Sequence, residues 1–376
     1  MDVSLQKTIT FILFIAIGLL LKMKFSTKAE VVGIKKIILN LALPATIFIA
    51  LLGIEVKADL LLLPLLALIL NALLFFIFPL LLPILGIEKE TPNYRTAKML
   101  IPSLAPGLSC FPFVLEYLGD AYLAKAAMAD LGNKVCVLMI LYVVAMNWHY
   151  KVQQKKAQSG KAKLKSLSIA MISEPVNLFI AAALLLVGFG FNLNSLPFFA
   201  SETLSRLSLL MTPLVLLYIG LAVNIKKDQL LQILGMLMLR AGFVVLAIGL
   251  LVSIAGIAIE NEVLLMLSFG LSACSFWPFA HISAVDAAER DGERKTFNSN
   301  FAVSVLALSF PLSTLLILGI LSSGKLFAEP TAIFLLGAVL SAAGFGLPLL
   351  LQKKTTNIEK AEVINTELEI STNKSS

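Results

Sequence analysis

Long apolar blocks separated by short polar connections run the length of this chain, and they set its plan. Spans are expected at 8–21, 31–54, 60–86, 96–118, 122–148, 175–191, 204–223, 230–259, 263–288, 298–321 and 331–351. Most match the ~20 residues that an α-helix needs to cross the hydrocarbon core, and none shows the short alternating pattern of a membrane β-strand. The expected fold class is all-α, a polytopic membrane protein of about eleven spans. The first block is short, so Lys7 and Lys22 must snorkel toward opposite interfaces. A cleaved signal peptide is the competing reading, opposed by the single flanking lysine and the lack of a small-residue cleavage site.

Composition agrees with the pattern: 59% of the 376 residues are hydrophobic and 14% charged, against ~25% charged in a soluble domain. A net charge of +7 raises the question of nucleic acid, and the placement of the charges answers it. Lys22, Lys24, Lys28, Lys35 and Lys36 follow the first span, Lys89, Arg95 and Lys98 the third, and Lys151, Lys155, Lys156, Lys161, Lys163 and Lys165 the fifth. Lys226 and Lys227 follow the seventh, Arg290, Arg294 and Lys295 the ninth, and Lys353 and Lys354 the eleventh. Alternate loops hold few cations, so the positive-inside rule places the N-terminus outside and the C-terminus in the cytoplasm, with the cell membrane as the location. The expected partners are the lipid bilayer and a small solute, with no nucleic acid.

Cys110, Cys136 and Cys274 all fall inside spans and read as small packing residues. Without a CxxC spacing, and with only His149 and His281, neither a disulfide framework, a metal site nor a cofactor is expected. Residues 1–149 form a first five-span unit, 150–170 a basic cytoplasmic linker, 171–322 a second five-span unit, 323–352 an extra span and 353–376 a disordered tail.

The two units share landmarks. Ser109-Cys110-Phe111-Pro112-Phe113 in span four matches Ser275-Phe276-Trp277-Pro278-Phe279 in span nine, the prolines 166 positions apart. Pro44 in span two and Pro213 in span seven differ by 169, and Asn133 in span five and Asn300 in span ten by 167. An odd number of spans per unit means that the second copy enters the membrane from the opposite side. Such inverted repeats build many alternating-access transporters, with the site near the midplane.

Pro102, Pro106, Gly107 and Pro112 in span four, and Gly270 and Pro278 in span nine, predict breaks near mid-membrane. The second half-helices are expected to begin near Phe113 and Phe279, their positive N-terminal ends converging on an anion. The facing carbonyl ends leave room for a small coupling cation. Charges deep in spans join the candidates. Asp130 and Lys134, four apart on one face of span five, read as an intrahelical ion pair or as a relay that balances protons or substrate charge. Arg240, equivalent to Asn71 at the 169 offset, either mates the halves, with Asp130 as a partner, or meets a carboxylate. Asn133, Asn298 and Asn300 read as ligands or as interhelical glue, and His281 as a proton-linked switch or a packing histidine. Glu116, Asp286 and Glu289 are expected to face interfacial water.

Asn40-Leu41-Ala42-Leu43-Pro44, Phe111-Pro112-Phe113 running to Leu118-Gly119-Asp120, Asp130-Leu131-Gly132-Asn133, and Thr212-Pro213 running to Ile219-Gly220-Leu221 resemble the auxin efflux carrier family of permeases. That family belongs to the wider bile acid/arsenite/riboflavin transporter superfamily, and the resemblance covers roughly residues 1–322. It implies ten helices in two inverted repeats, with helices four and nine unwound where an organic anion binds, and it adds dicarboxylates such as malate and malonate from bacterial relatives. Plant members carry Asn before the crossing proline, whereas Phe111 and Trp277 stand there in this chain, which argues against auxin itself.

The function expected is a non-enzymatic secondary transporter of a small organic anion, a carboxylate, with proton or sodium coupling and homodimer formation left open. The alternative within the same class is a sodium-coupled carrier of a larger anion. An intramembrane hydrolase using Ser272 and His281, which lacks a third group, and a channel, which would not saturate, are the readings from other classes.

Overall fold

The computed structural model describes residues 3–25, 27–53, 60, 62–154, 165, 169, 172–222, 230–289 and 294–347. All regular structure among these residues is helical. Most of the linker expected at 150–170, and all of the tail at 353–376, lie outside the described residues.

Helix α1 (Val3–Leu21) leads to α2 (Lys28–Ile37), which opens on a capping box between Thr27 and Glu30. The π-helical turn Ile38–Ala42 then joins α2 to α3 (Leu43–Leu52), with Pro44 in the first turn of α3. Next come α4 (Leu62–Phe76), α5 (Pro92–Leu100), α6 (Pro106–Ser109), α7 (Phe111–Leu118) and α8 (Asp120–Val135). A second π-helical turn, Cys136–Ile140, continues α8 into α9 (Leu141–Val152). The second unit comprises α10 (Pro175–Gly188), α11 (Phe198–Leu209), α12 (Met211–Ala222), α13 (Leu230–Ala255), α14 (Glu260–Gly270), α15 (Phe276–Ala288) and α16 (Ser299–Ser322). The apolar helix α17 (Pro330–Leu347) follows.

By length and composition, seven stretches among the described residues can cross a membrane, and Gln6–Leu21 and Pro175–Gly188 are shorter apolar helices. The two remaining expected spans, four and nine, are interrupted helices, so seven of the eleven expected spans appear as uninterrupted helices of membrane-crossing length.

The helices sort into two groups by their packing. In one, α1 lies along α12 and α10 along α3, with α2 against α12. In the other, α4 packs on α8 and α13 on α16, while α7 meets α8, α15 meets α16 and α9 meets α15. The pairings answer each other between the units: span one with seven and six with two, three with five and eight with ten.

Small residues permit the closest approaches. A Cβ on Gly18 would lie 2.3 Å from the Leu217 carbonyl and one on Gly220 2.2 Å from that of Ile15, so α1 and α12 touch backbone to backbone. Gly132 presses α8 onto α4 so tightly that a Cβ would stand 1.9 Å from the Pro64 carbonyl. Helix α17 rests on α13 through Gly242 and Gly344.

Candidate functional site: the crossing of two interrupted helices

Span four stops being helical after Leu100, because Pro102 offers no N–H for the next turn. It resumes at α6 with Pro106 in the first turn and is interrupted again at Cys110, before α7. Span nine breaks between Gly270 and Phe276, and Ser275 caps α15 by accepting from the Trp277 N–H at 3.3 Å. The second halves therefore begin at Pro106 and Phe276, not near Phe113 and Phe279. Pro106 and Pro112 sit in the first turn of a helix, where a missing N–H costs nothing. Pro278, third residue of α15, is placed likewise, so the loose backbone lies ahead of these prolines. The breaks correspond at an offset of 170, from Leu100 to Gly270 and from Pro106 to Phe276. The Pro112 and Pro278 landmarks are thus four residues out of register with them.

The two breaks are bonded across each other. The Ala105 N–H donates to the Ala273 carbonyl (2.8 Å), the Ala273 N–H to Ser109 Oγ (2.9 Å) and the Ser275 N–H to Ser103 Oγ (3.0 Å). Neighbouring spans complete the pairing. Asn133 Oδ1 accepts from the Leu104 N–H (3.2 Å) while its Nδ2 donates to the Leu104 carbonyl (2.9 Å) and to Asp130 Oδ1 (2.8 Å). In the second unit Ser309 Oγ accepts from the Cys274 N–H (3.3 Å), and Ser313 Oγ donates to the Leu271 carbonyl (2.6 Å). Leu104 and Cys274 stand 170 positions apart, and Ser309 bonds the Cys274 N–H as Asn133 bonds that of Leu104. Asn300 lies exposed as the second residue of α16.

Arg240 occupies the carbonyl ends of both first half-helices. Its Nε donates to Ile101 O (2.9 Å), one terminal nitrogen to Ser272 O (3.1 Å) and the other to Ser103 O (3.3 Å). The side chain is buried, and these carbonyls carry the negative end of each short dipole. Asn71, wholly buried, donates Nδ2 to Asn133 Oδ1 at 3.2 Å.

Beside the crossing opens a cavity of about 300 Å³, lined by the break residues Leu104 to Leu108 and Ser275 to Trp277 together with Lys35, Asp130, Asn133, Lys134 and Glu174. Lys134 Nζ stands 3.6 Å from Asp130 Oδ2 and 3.2 Å from Glu174 Oε2, and donates to Asn177 Oδ1 at 2.8 Å. In the first turn of α15, Ser275 and Trp277 have partners for their N–H groups and Pro278 has none to offer.

Of the residues singled out from sequence, Ser275, Phe276, Trp277, Asp130, Asn133 and Lys134 line this cavity. Ser109, Cys110, Phe111, Pro112 and Phe113 are buried behind it, and Phe279 and Pro278 lie in α15 away from the lining. His281 Nε2 bonds to the Val137 carbonyl (2.9 Å) and the ring meets Tyr142 edge to face, so it joins α15 to the π-turn after α8. Ser272, in the break after α14, donates Oγ to Ser268 O (3.5 Å), whereas His281 bonds to Val137 O. Glu289, expected in interfacial water, is buried instead: it accepts from the Thr296 N–H and hydroxyl and faces His149 at 3.4 Å.

Lys35, Glu174, Asn177 and Ser309 were not singled out. Lys35 reads as one more interfacial cation and Glu174 as a loop acid, because a linear pattern does not show that the two meet at the crossing.

On the far side of the crossing, contacts tie α1 to α7. Phe11 of α1 packs on Phe113 and Tyr117 of α7, with ring centroids 5.5 and 5.9 Å apart. Thr8 and Tyr117 share a hydrogen bond of 2.6 Å, and Lys7 Nζ donates to the Glu116 carbonyl. Beyond these contacts lies a second cavity of about 450 Å³, with Gln6, Ser208 and Thr212 in its wall.

No family model matches the chain. A segment of 120 residues, 32% of the chain, is 28% identical to an uncharacterized transporter of Methanocaldococcus jannaschii. That segment spans 35% of the relative's length, about a third.

Proposed function

We propose that this chain is a secondary transporter that carries a small organic anion, a carboxylate, across the cytoplasmic membrane by alternating access. The observation that carries the reading is the cavity at the crossing, which reaches both helix breaks and two lysines, with Phe11 packed on Phe113 and Tyr117 elsewhere along span four. In a carrier such a site is reachable from one face at a time, which a channel has no need of. The reciprocal packing of the two units supports an inverted repeat, as does the 170-residue spacing of the breaks. In this reading the N-terminus is outside, and the open cavity faces the cytoplasm because Lys35 and Glu174 belong to the basic side.

The name of the archaeal relative, and the resemblance to the auxin efflux carrier family, agree with transport. A volume of about 300 Å³ lies at the low end of small-molecule sites (~300–1,000 Å³) and favours a small cargo over a bile-acid-sized one.

Thermal unfolding of the purified protein against a panel of carboxylates, with and without sodium and at several pH values, tests this. Carboxylates should raise the melting temperature, because a ligand of the native state stabilises it, and uptake into proteoliposomes should saturate and show counterflow. Stabilisation by neutral or cationic solutes alone would remove the anion. Flux that never saturates would make the protein a channel.

A further inference from the structure

Four formally charged side chains line the cavity: Lys35, Asp130, Lys134 and Glu174. Three of them form a closed account. Lys134 is shared between the two carboxylates and Asn177, so that group carries one net negative charge with no cation to spare. Arg240, the other cation at the crossing, is committed to three carbonyls.

Lys35 differs from both. Among the described residues no carboxylate lies within ion-pair distance of it, and its Nζ instead sits 3.9 Å above the centre of the Phe276 ring. An ammonium over an aromatic face gains ~0.5–2 kcal/mol, which a charge-assisted bond to a carboxylate can displace. Leu39, Leu43, Leu108, Trp277 and Phe310 supply apolar surface to the same cavity wall.

Resting on the carboxylate-transport reading, we infer that Lys35 neutralises the substrate's carboxylate and that the substrate is a monocarboxylate with an apolar body. Lys35 is the lining cation with no carboxylate within ion-pair distance among the described residues, and it can meet one anionic group. A second carboxylate would face Asp130 and Glu174, whose group already carries one net negative charge, with no further cation to meet it. Lys35 stands on α2, in the group of helices built on α1, α3, α10 and α12, whereas Phe276 begins α15 in the other group. The bound carboxylate therefore bridges the two groups and makes Lys35 the selectivity residue contributed from across the interface.

The test measures stabilisation and affinity for benzoate, hexanoate, phthalate, succinate and neutral benzamide in wild type, Lys35→Met, Lys35→Gln and Lys35→Arg. The inference expects wild type to prefer benzoate or hexanoate to the dicarboxylates. Both neutral substitutions should weaken the preferred monocarboxylate about tenfold or more. Binding of benzamide, and the melting temperature without ligand, should stay unchanged, and Lys35→Arg should recover most of the loss. A purely structural role would weaken acid and amide alike, and that result overturns the assignment. Undiminished monocarboxylate affinity in Lys35→Met or Lys35→Gln overturns it too, and a wild type that prefers phthalate or succinate overturns the monocarboxylate. If no carboxylate stabilises wild type, the transport reading fails and takes this inference with it.

Discussion

Arg240 shows how one side chain can hold open a structure that the backbone alone would not keep. Three carbonyls at the ends of two short helices have no helical partner, and the guanidinium fork meets all three. Replacing Arg240 with Met leaves those acceptors buried and unpaired, each worth ~1–3 kcal/mol, so a large drop in melting temperature is expected before any ligand is added. If Arg240→Met melts with wild type and loses only anion binding, the residue belongs to the substrate instead. Asn133→Ala should remove both bonds to Leu104 and abolish transport while the protein still inserts, which uptake and membrane expression measure separately. The residue types were legible in the sequence, since a buried arginine and a mid-span asparagine stand out against leucine. Their partners were not, because backbone carbonyls at a break carry no sequence signature and become acceptors only after the helix has stopped.

Among the elements, contact distance depends on glycine. Gly132→Ala forces a methyl into the Pro64 carbonyl and should separate α8 from α4, lowering stability by more than the ~1 kcal/mol that helix propensity would return. Gly33→Ala, with nothing within 4 Å, should be neutral or mildly stabilising. Equal effects at the two positions, read by thermal unfolding, would remove the packing argument. The apolar blocks announced nearly every helix, and proline announced that spans four and nine are interrupted. It misplaced the interruptions because Pro112 and Pro278 open helices as readily as proline ends them. Asn300 does not line the cavity that Asn133 lines, and Ser309, which bonds the Cys274 N–H, could not be picked out from spacing.

For the whole molecule, the two cavities make accessibility the most direct measurement. In sealed vesicles of known orientation, Ala280→Cys in a background free of Cys110, Cys136 and Cys274 should label from the cytoplasmic face. Gln6→Cys should label from the outer face. The reverse pattern would invert the topology derived from the lysines. Saturating carboxylate should lower labelling at Ala280. The serine and backbone bonds that lace the two breaks together carry a last consequence. Under the carrier reading proposed above, spans four and nine should move together, and a lesion in either strand of that joint should slow exchange and net flux by the same factor.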